Sequence, residues 1–180
     1  MPGLYARPEY WPELKFRQRY LHRVRALAQK HPDWTFCSYT AAVIYGLSVS
    51  HANLTHIHIA AVPAQSTTPG SQVIRHRYVR QTRTNQMDIA VTDIDQTITD
   101  CLVDASFVEG LIIADSVLHE RLLSKEHLVE AIDMLGLNRR GVVTARSVAR
   151  CADGLSESGG ESKARALMIE RGWQTAGAAS

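Results

Sequence analysis

Two aspartates one residue apart, with a threonine two positions further on, close a hydrophobic run: Ile89-Ala90-Val91-Thr92-Asp93-Ile94-Asp95-Gln96-Thr97. A strand that delivers two carboxylates to one loop suits phosphoryl transfer. One carboxylate attacks phosphorus, the other moves the proton, and a divalent cation neutralises charge. Only 83 residues follow Thr97, and they read as consecutive helices. Capping explains the residues without catalysis: Thr92 and Asp95 can make a capping box that satisfies the free amides of a helix start, helped by the helix dipole. Glu161 poses the same choice. It is either an acidic metal ligand or the third residue of a capping box opened by Ser158.

The remaining chemical candidates are weaker. His56 and His58 fall on one face of a strand, a spacing that could hold a metal, with His51, His76 and Cys37 as the nearby supplementary ligands. Nothing in that spacing is diagnostic, and a polar strand face is the preferred reading. Cys37 precedes a helix start that could activate a thiol. Its neighbours Trp34 and Phe36 favour a core cysteine. The sequence contains no Gly-rich phosphate loop and no recognisable nucleophile elbow.

The elements that must position these residues change character along the chain. Residues 13–30 form an amphipathic pattern with Leu14, Leu21, Val24 and Ala28 on one face and Tyr20 and Leu27 beside them, ended by His31-Pro32-Asp33. A second helix, residues 38–45, stops at Gly46. From Thr55 the period becomes two, with Ile57, Ile59 and Ala61 alternating against His56, His58 and Ala60, the signature of a half-buried strand. Residues 65–71 form a loop rich in Ser, Thr, Pro and Gly, a second strand covers 72–80, and Met87, Ile89 and Val91 suggest a third. Strands this close in sequence leave no room for crossover helices, so antiparallel pairing is expected. The second half is helical. Ser106 with Glu109, Ser124 with a Leu123–Leu128 staple, and Ser158 with Glu161 mark helix starts. Leu128, Ile132 and Leu135 should form a buried stripe ended by Gly136, and residues 139–152 another helix. The fold class is α+β: a small antiparallel sheet, with a mixed one as the alternative, packed by a helical second half.

Composition bounds the function. The chain has 180 residues, 45% hydrophobic and 21% charged, as in a soluble globular domain. Apolar runs such as 110–114 are far short of the roughly 20 residues of a membrane span, and no secretory signal opens the chain. Three dispersed cysteines, Cys37, Cys101 and Cys151, point to a reducing cytoplasm rather than a disulfide framework. The net charge of +2 conceals segregation. Residues 1–30 balance at +5, residues 64–87 hold four arginines and no acid, and residues 88–133 balance at −9. Segregated charge creates local fields that a near-neutral total hides. Arg17, Arg19 and Arg23 of the first helix, with Arg75, Arg77 and Arg80, are therefore the candidate DNA-binding residues, although no complete helix-turn-helix is visible.

Four blocks together resemble one family, the antitoxin-like regulators of abortive-infection (type IV) toxin–antitoxin systems. They are residues 38–47 (Ser-Tyr-Thr-Ala-Ala-Val-Ile-Tyr-Gly-Leu), the strand Ile57-His58-Ile59, Val91-Thr92 through Thr97 to Asp100, and Ala152-Asp153-Gly154 with residues 156–165. The likeness covers roughly residues 5–173, and the order and spacing of the blocks carry most of its weight. In that family a winged helix-turn-helix usually precedes this region, and Leu4-Tyr5-Ala6-Arg7-Pro8 looks like the tail of its wing. Many relatives continue into a fold similar to very-short-patch-repair endonucleases, where a glutamate matching Glu161 is the first acidic site residue. Gln96 stands where relatives more often carry arginine. Residues 93–97 also resemble the nucleophile loop of haloacid-dehalogenase-type phosphatases, with Gln96 in place of the usual glycine; that resemblance implies a lysine and a later acidic pair from successive βα units, which the helical second half does not supply.

The resemblance implies an antitoxin-like central domain over residues 1–152. Residues 153–180 are then a linker and single helix, the remnant of an endonuclease-like domain. Only eight residues follow Gly172, so the chain is expected not to complete a catalytic centre by itself. The implied function is a non-enzymatic antitoxin or transcriptional regulator that uses no cofactor. It would act in the cytoplasm, away from membranes, by binding a nucleotidyltransferase-type toxin and DNA. The alternative is a metal-dependent endonuclease-like protein using Glu161.

Overall fold

The computed structural model describes residues 9–61, 72–77, 82–156 and 158–172. In chain order these form α1 (Phe16–Lys30), β1 (Thr35–Phe36), α2 (Ser38–Ile44), a 3₁₀ turn (His51–Leu54), β2 (Ile57–Ala61), β3 (Val73–Arg77), β4 (Thr84–Gln86) and β5 (Ile89–Val91). Then come α3 (Ile94–Asp104), α4 (Phe107–His119), α5 (Lys125–Leu135), α6 (Val142–Cys151) and α7 (Gly159–Glu170). The fold is α+β, with a five-stranded sheet in the order β3-β2-β1-β5-β4.

The sheet is mixed, the alternative form expected, and the antiparallel pairing expected between β2 and β3 is corrected to parallel. β1 runs antiparallel to β2 but parallel to β5, and β2 runs parallel to β3, with Ile57 opposite Val73 and Ile59 opposite Arg75. Eleven residues separate β2 from β3. At about 3.3 Å each they can span more than twice the length of a five-residue strand, so a crossover needs no helix. The predicted second strand is found as β3 over Val73–Arg77; its residues 78–80 lie outside the described ones.

Alternation along β2 places Ile57 and Ile59 on one face and His58 on the other, yet all three are buried. The strand is therefore covered on both sides rather than half-buried. Arg25 and Ala28 of α1 line a cleft together with Trp34 and Ile89 on the Ile59 side. On the other side His58 meets the Tyr39 ring of α2, edge to face at 5.5 Å. Tyr20 of α1 ties the end of the sheet: its hydroxyl donates to the His56 carbonyl at 2.9 Å and lies 2.5 Å from Thr40 Oγ1.

Met87 does not continue a strand. It and Asp88 form the two-residue turn between β4 and β5, with φ of 51° and 60°. Left-handed backbone at both positions matches the hairpin turn that normally calls for Asn-Gly.

Helix ends follow local chemistry. Ser106, Ser124 and Ser158 each accept a hydrogen bond from the amide three residues on. At α3 the cap is Asp93, not Thr92: its carboxylate accepts from the Gln96 amide at 2.9 Å. Thr92 instead meets Thr97, Oγ1 to Oγ1 at 2.7 Å. Leu128 and Ile132 are buried as expected, whereas Leu135 in the last turn of α5 is exposed. The predicted helix 139–152 starts later, at Val142, after Gly141 turns the chain with φ 90°; a Cβ there would strike the Val103 carbonyl.

α7 packs along α4. Asp115 of α4, 1% exposed, accepts from the Arg165 guanidinium through both oxygens and from the Asp153 amide at 2.7 Å. Arg165 also donates to the Cys151 carbonyl at 2.6 Å. Arg165→Ala would leave a carboxylate buried without its counter-charge and should cost about 3–5 kcal/mol in chemical denaturation. The double variant Asp115→Leu/Arg165→Met should lose much less. At the hairpin, Met87→Asn/Asp88→Gly should raise stability by about 1 kcal/mol, since it relieves left-handed strain.

Candidate functional site

The six arginines singled out from sequence have different fates. Arg17 donates to the Leu47 carbonyl at 2.8 Å and the Val43 carbonyl at 3.3 Å, closing the C-terminal end of α2. Burial pulls its pKa below the usual arginine value, with Glu120 opposing. Arg19 donates to the carbonyls of Leu14 and Pro12, each at 2.9 Å, and so pins the turn before α1. Arg23 reaches Gln72 Oε1 at 3.3 Å. The Arg75 guanidinium lies 5.4 Å from the centroid of Trp34, a cation–π distance. Arg77 ends β3 and is exposed. Arg80 lies outside the described residues.

What the fold brings together is a different set. Arg25 and Gln29 of α1, His31 and Trp34 of the following loop, and Arg83 beside β4 line a cleft of about 410 Å³, floored by Ile89. Arg83 bridges its mouth by donating to the Pro32 and Asp33 carbonyls, both at 3.2 Å. That holds the guanidinium in place before any ligand arrives. Arg25 is exposed, and no described group pairs with it. Trp34 is stacked on His31 with ring centroids 4.0 Å apart, so its ring is rigid. Asp88 on the hairpin turn is the one acid in the lining. Arg25 and Arg83 were visible in sequence only as members of two basic segments. Their convergence depends on the β4–β5 hairpin folding back beside α1.

The carboxylates with catalytic spacing are otherwise engaged. Asp93 caps α3, and Asp95 receives His127 Nε2 at 3.0 Å. That hydrogen bond raises the His127 pKa. Glu161 sits exposed in the first turn of α7, its amide donating to Ser158 Oγ at 3.3 Å. Among the described residues no group of three or more His, Cys, Asp or Glu is placed to hold a metal ion. Cys37 is fully buried at the start of α2, as a core cysteine should be.

His58 departs most from expectation. Instead of a polar strand face, it makes a buried pair with His76, Nδ1 to Nε2 at 2.8 Å, with the rings stacked at 5.0 Å. His56 lies just before β2 and turns to the Thr55 hydroxyl at 2.9 Å. Asp100, Asp104 and Arg139 act electrostatically on His76. Arg139 donates to Asp100 Oδ1 at 2.6 Å, and Gln96 Nε2 donates to the same oxygen at 2.9 Å. Desolvation, with His76 and His56 nearby, pushes the His58 pKa down to about 3. Desolvation lowers His76 as well, against the raising influence of Asp100 and Asp104. Burial raises Asp104.

These shifts set a pH dependence. In the unfolded chain both histidines titrate near the usual value of about 6.5. Below that pH the unfolded state binds protons that the folded state refuses, so stability falls as pH falls from about 6.5 toward 3. His58 can contribute up to about 1.4 kcal/mol per pH unit in that window, His76 adds in the same direction, and the raised Asp104 acts in the opposite sense. Urea denaturation between pH 7 and pH 4 should show this slope. His58→Gln should flatten it even if it lowers stability at pH 7, and an unchanged slope would contradict the assignment.

No family model matches the chain, and neither does any curated protein or solved structure, so the reading of this surface rests on its own residues.

Proposed function

We propose that the protein acts by binding, as an antitoxin-like transcriptional regulator of an abortive-infection, type IV toxin–antitoxin system. The cleft between α1 and the β4–β5 hairpin is its DNA-facing surface. The observation that carries this reading is the convergence of Arg25 and Arg83, from elements far apart in sequence, on one open cleft beside a rigid Trp34. A guanidinium already oriented by two carbonyls loses little freedom on meeting a phosphate. The four-block resemblance supports the antitoxin assignment, and through it a nucleotidyltransferase-type toxin as partner. Glu126, Glu130 and Asp133, exposed along α5, offer an acidic face for that partner.

The full chain should be retained on duplex DNA at low salt and released as salt rises. Each phosphate contact contributes about 0.9 to the slope of log affinity against log salt. Arg25→Ala/Arg83→Ala should reduce that slope by roughly two and weaken all sequences alike. Arg83→Lys, which keeps the charge, separates lost attraction from lost folding. Co-expression with a nucleotidyltransferase-type toxin encoded beside it should restore growth and yield a co-purifying complex. Absence of both DNA retention and co-purification sinks the proposal. Divalent-cation-dependent cleavage that vanishes in Glu161→Gln would favour an endonuclease-like protein instead.

A further inference from the structure

The turn of the β4–β5 hairpin is built against local preference. Met87 and Asp88 both hold left-handed backbone, φ 51° and 60°, where Asn-Gly would sit without strain. Met87 also leaves 53% of its surface exposed, and it lines the cleft beside α1. Strain kept at a cleft wall, for the sake of an exposed and adaptable apolar side chain, points to a ligand with an apolar face. Phosphate binding by Arg25 and Arg83 gives no account of it.

His31 points to a flat ligand independently. It lines the same cleft, and its imidazole lies on the Trp34 indole with centroids 4.0 Å apart and planes 7° from parallel. Among the described residues Trp34 is the one ring it touches, and no described group hydrogen-bonds its ring nitrogens. The outer imidazole face is thus open to a further flat ring, with Trp34 behind it as a brace. Gln29 and Asn85 line the cleft with no described partner for their amides, the kind of donor and acceptor pair that meets a base edge. Asp88, the acid of the lining, neighbours Met87 on the turn and suits an exocyclic amino group. At about 410 Å³ the cleft has the size of a small-molecule site. Inside a duplex the base faces are hidden in the stack, so only an unpaired nucleotide can present one to His31 and Met87.

Resting on the DNA-facing reading of this cleft, we propose that it takes one unpaired nucleotide, with the base between Met87 and the His31–Trp34 stack and the phosphate on Arg25 and Arg83. The protein accordingly prefers single-stranded to duplex DNA, although the duplex carries the denser charge.

The test measures fluorescence anisotropy of an end-labelled DNA strand, alone and paired with its complement, as the full chain is added at one low salt concentration. The single strand should bind about tenfold more tightly, the effect of one base stacked on an aromatic ring. Met87→Asn suits the left-handed turn and should fold at least as well as the wild type. It should nevertheless remove most of the single-strand preference while leaving duplex affinity unchanged, and His31→Ala should do the same. Competition at constant ionic strength identifies the source of the nucleotide. Displacement of the strand by deoxyadenosine 5′-monophosphate assigns the site to a free nucleotide, and displacement by unlabelled strand alone assigns it to a polymer. Equal or weaker affinity for the single strand overturns the proposal and leaves the DNA-facing reading standing. So does a preference that survives intact in folded Met87→Asn and His31→Ala proteins. Retention of neither form of DNA removes the reading itself, and the proposal with it.

Discussion

The Asp115–Arg165 ion pair is the constraint on which the C-terminal third of the fold depends. A carboxylate that is 1% exposed has lost almost all of its hydration, and only charge-assisted hydrogen bonds can compensate. Asp115 receives them from the guanidinium of α7 and from the amide of Asp153, which lies between α6 and α7. Arg165 in turn closes the end of α6 through the Cys151 carbonyl. One buried charge thereby fixes the relation of α4, the end of α6 and α7. The first turn of α7 rests against Ser48 and Ile112, where a Cβ on Gly159 would come within 3.3 Å of Ile112 Cγ2.

The sheet shows a comparable economy. β1 has two residues, and it carries antiparallel pairing on one side and parallel pairing on the other. So short a central strand cannot be held by its own ladder. It is held because Phe36 is fully buried and because the Cys37 amide donates to the His58 carbonyl while the Thr92 amide donates to the Phe36 carbonyl. These bonds extend the ladder beyond the strand proper and lock the starts of α2 and α3 to the sheet. The His58–His76 pair then sits between β2, β3 and α3, kept neutral by the burial that this packing imposes.

Local chemistry was legible in the sequence and tertiary chemistry was not. Ser106, Ser124 and Ser158 announce helix starts because a cap is satisfied within three residues of itself. Gly46, with φ 95°, announces the end of α2 for a similar reason. Thr92 was displaced as a cap because a second hydroxyl, Thr97, was within reach and Asp93 stood one residue closer to the helix. Strand direction depends on how the chain returns after β2, which no residue pattern within β2 or β3 encodes. Alternation at Ile57, His58 and Ile59 gave the strand correctly but suggested one wet face, because it cannot reveal that Tyr39 and His76 cover His58. Charge counting had the same blindness. It located basic segments, but it could not show that Arg17, Arg19 and Arg83 donate to backbone carbonyls, or that Arg25 and Arg83 meet in the folded chain.

The arginines of this molecule divide by what their guanidiniums already hold. Arg17 and Arg19 close a helix end and a turn on backbone carbonyls, so removing either would unpair carbonyls that the fold has taken from water. Arg25 is exposed with no described partner, and Arg83 reaches the Pro32 and Asp33 carbonyls at 3.2 Å each across the cleft mouth. A charge left at the surface contributes to the field around the molecule, whereas a charge spent inside the fold contributes to its stability, which is why counting arginines along the sequence misjudges the surface.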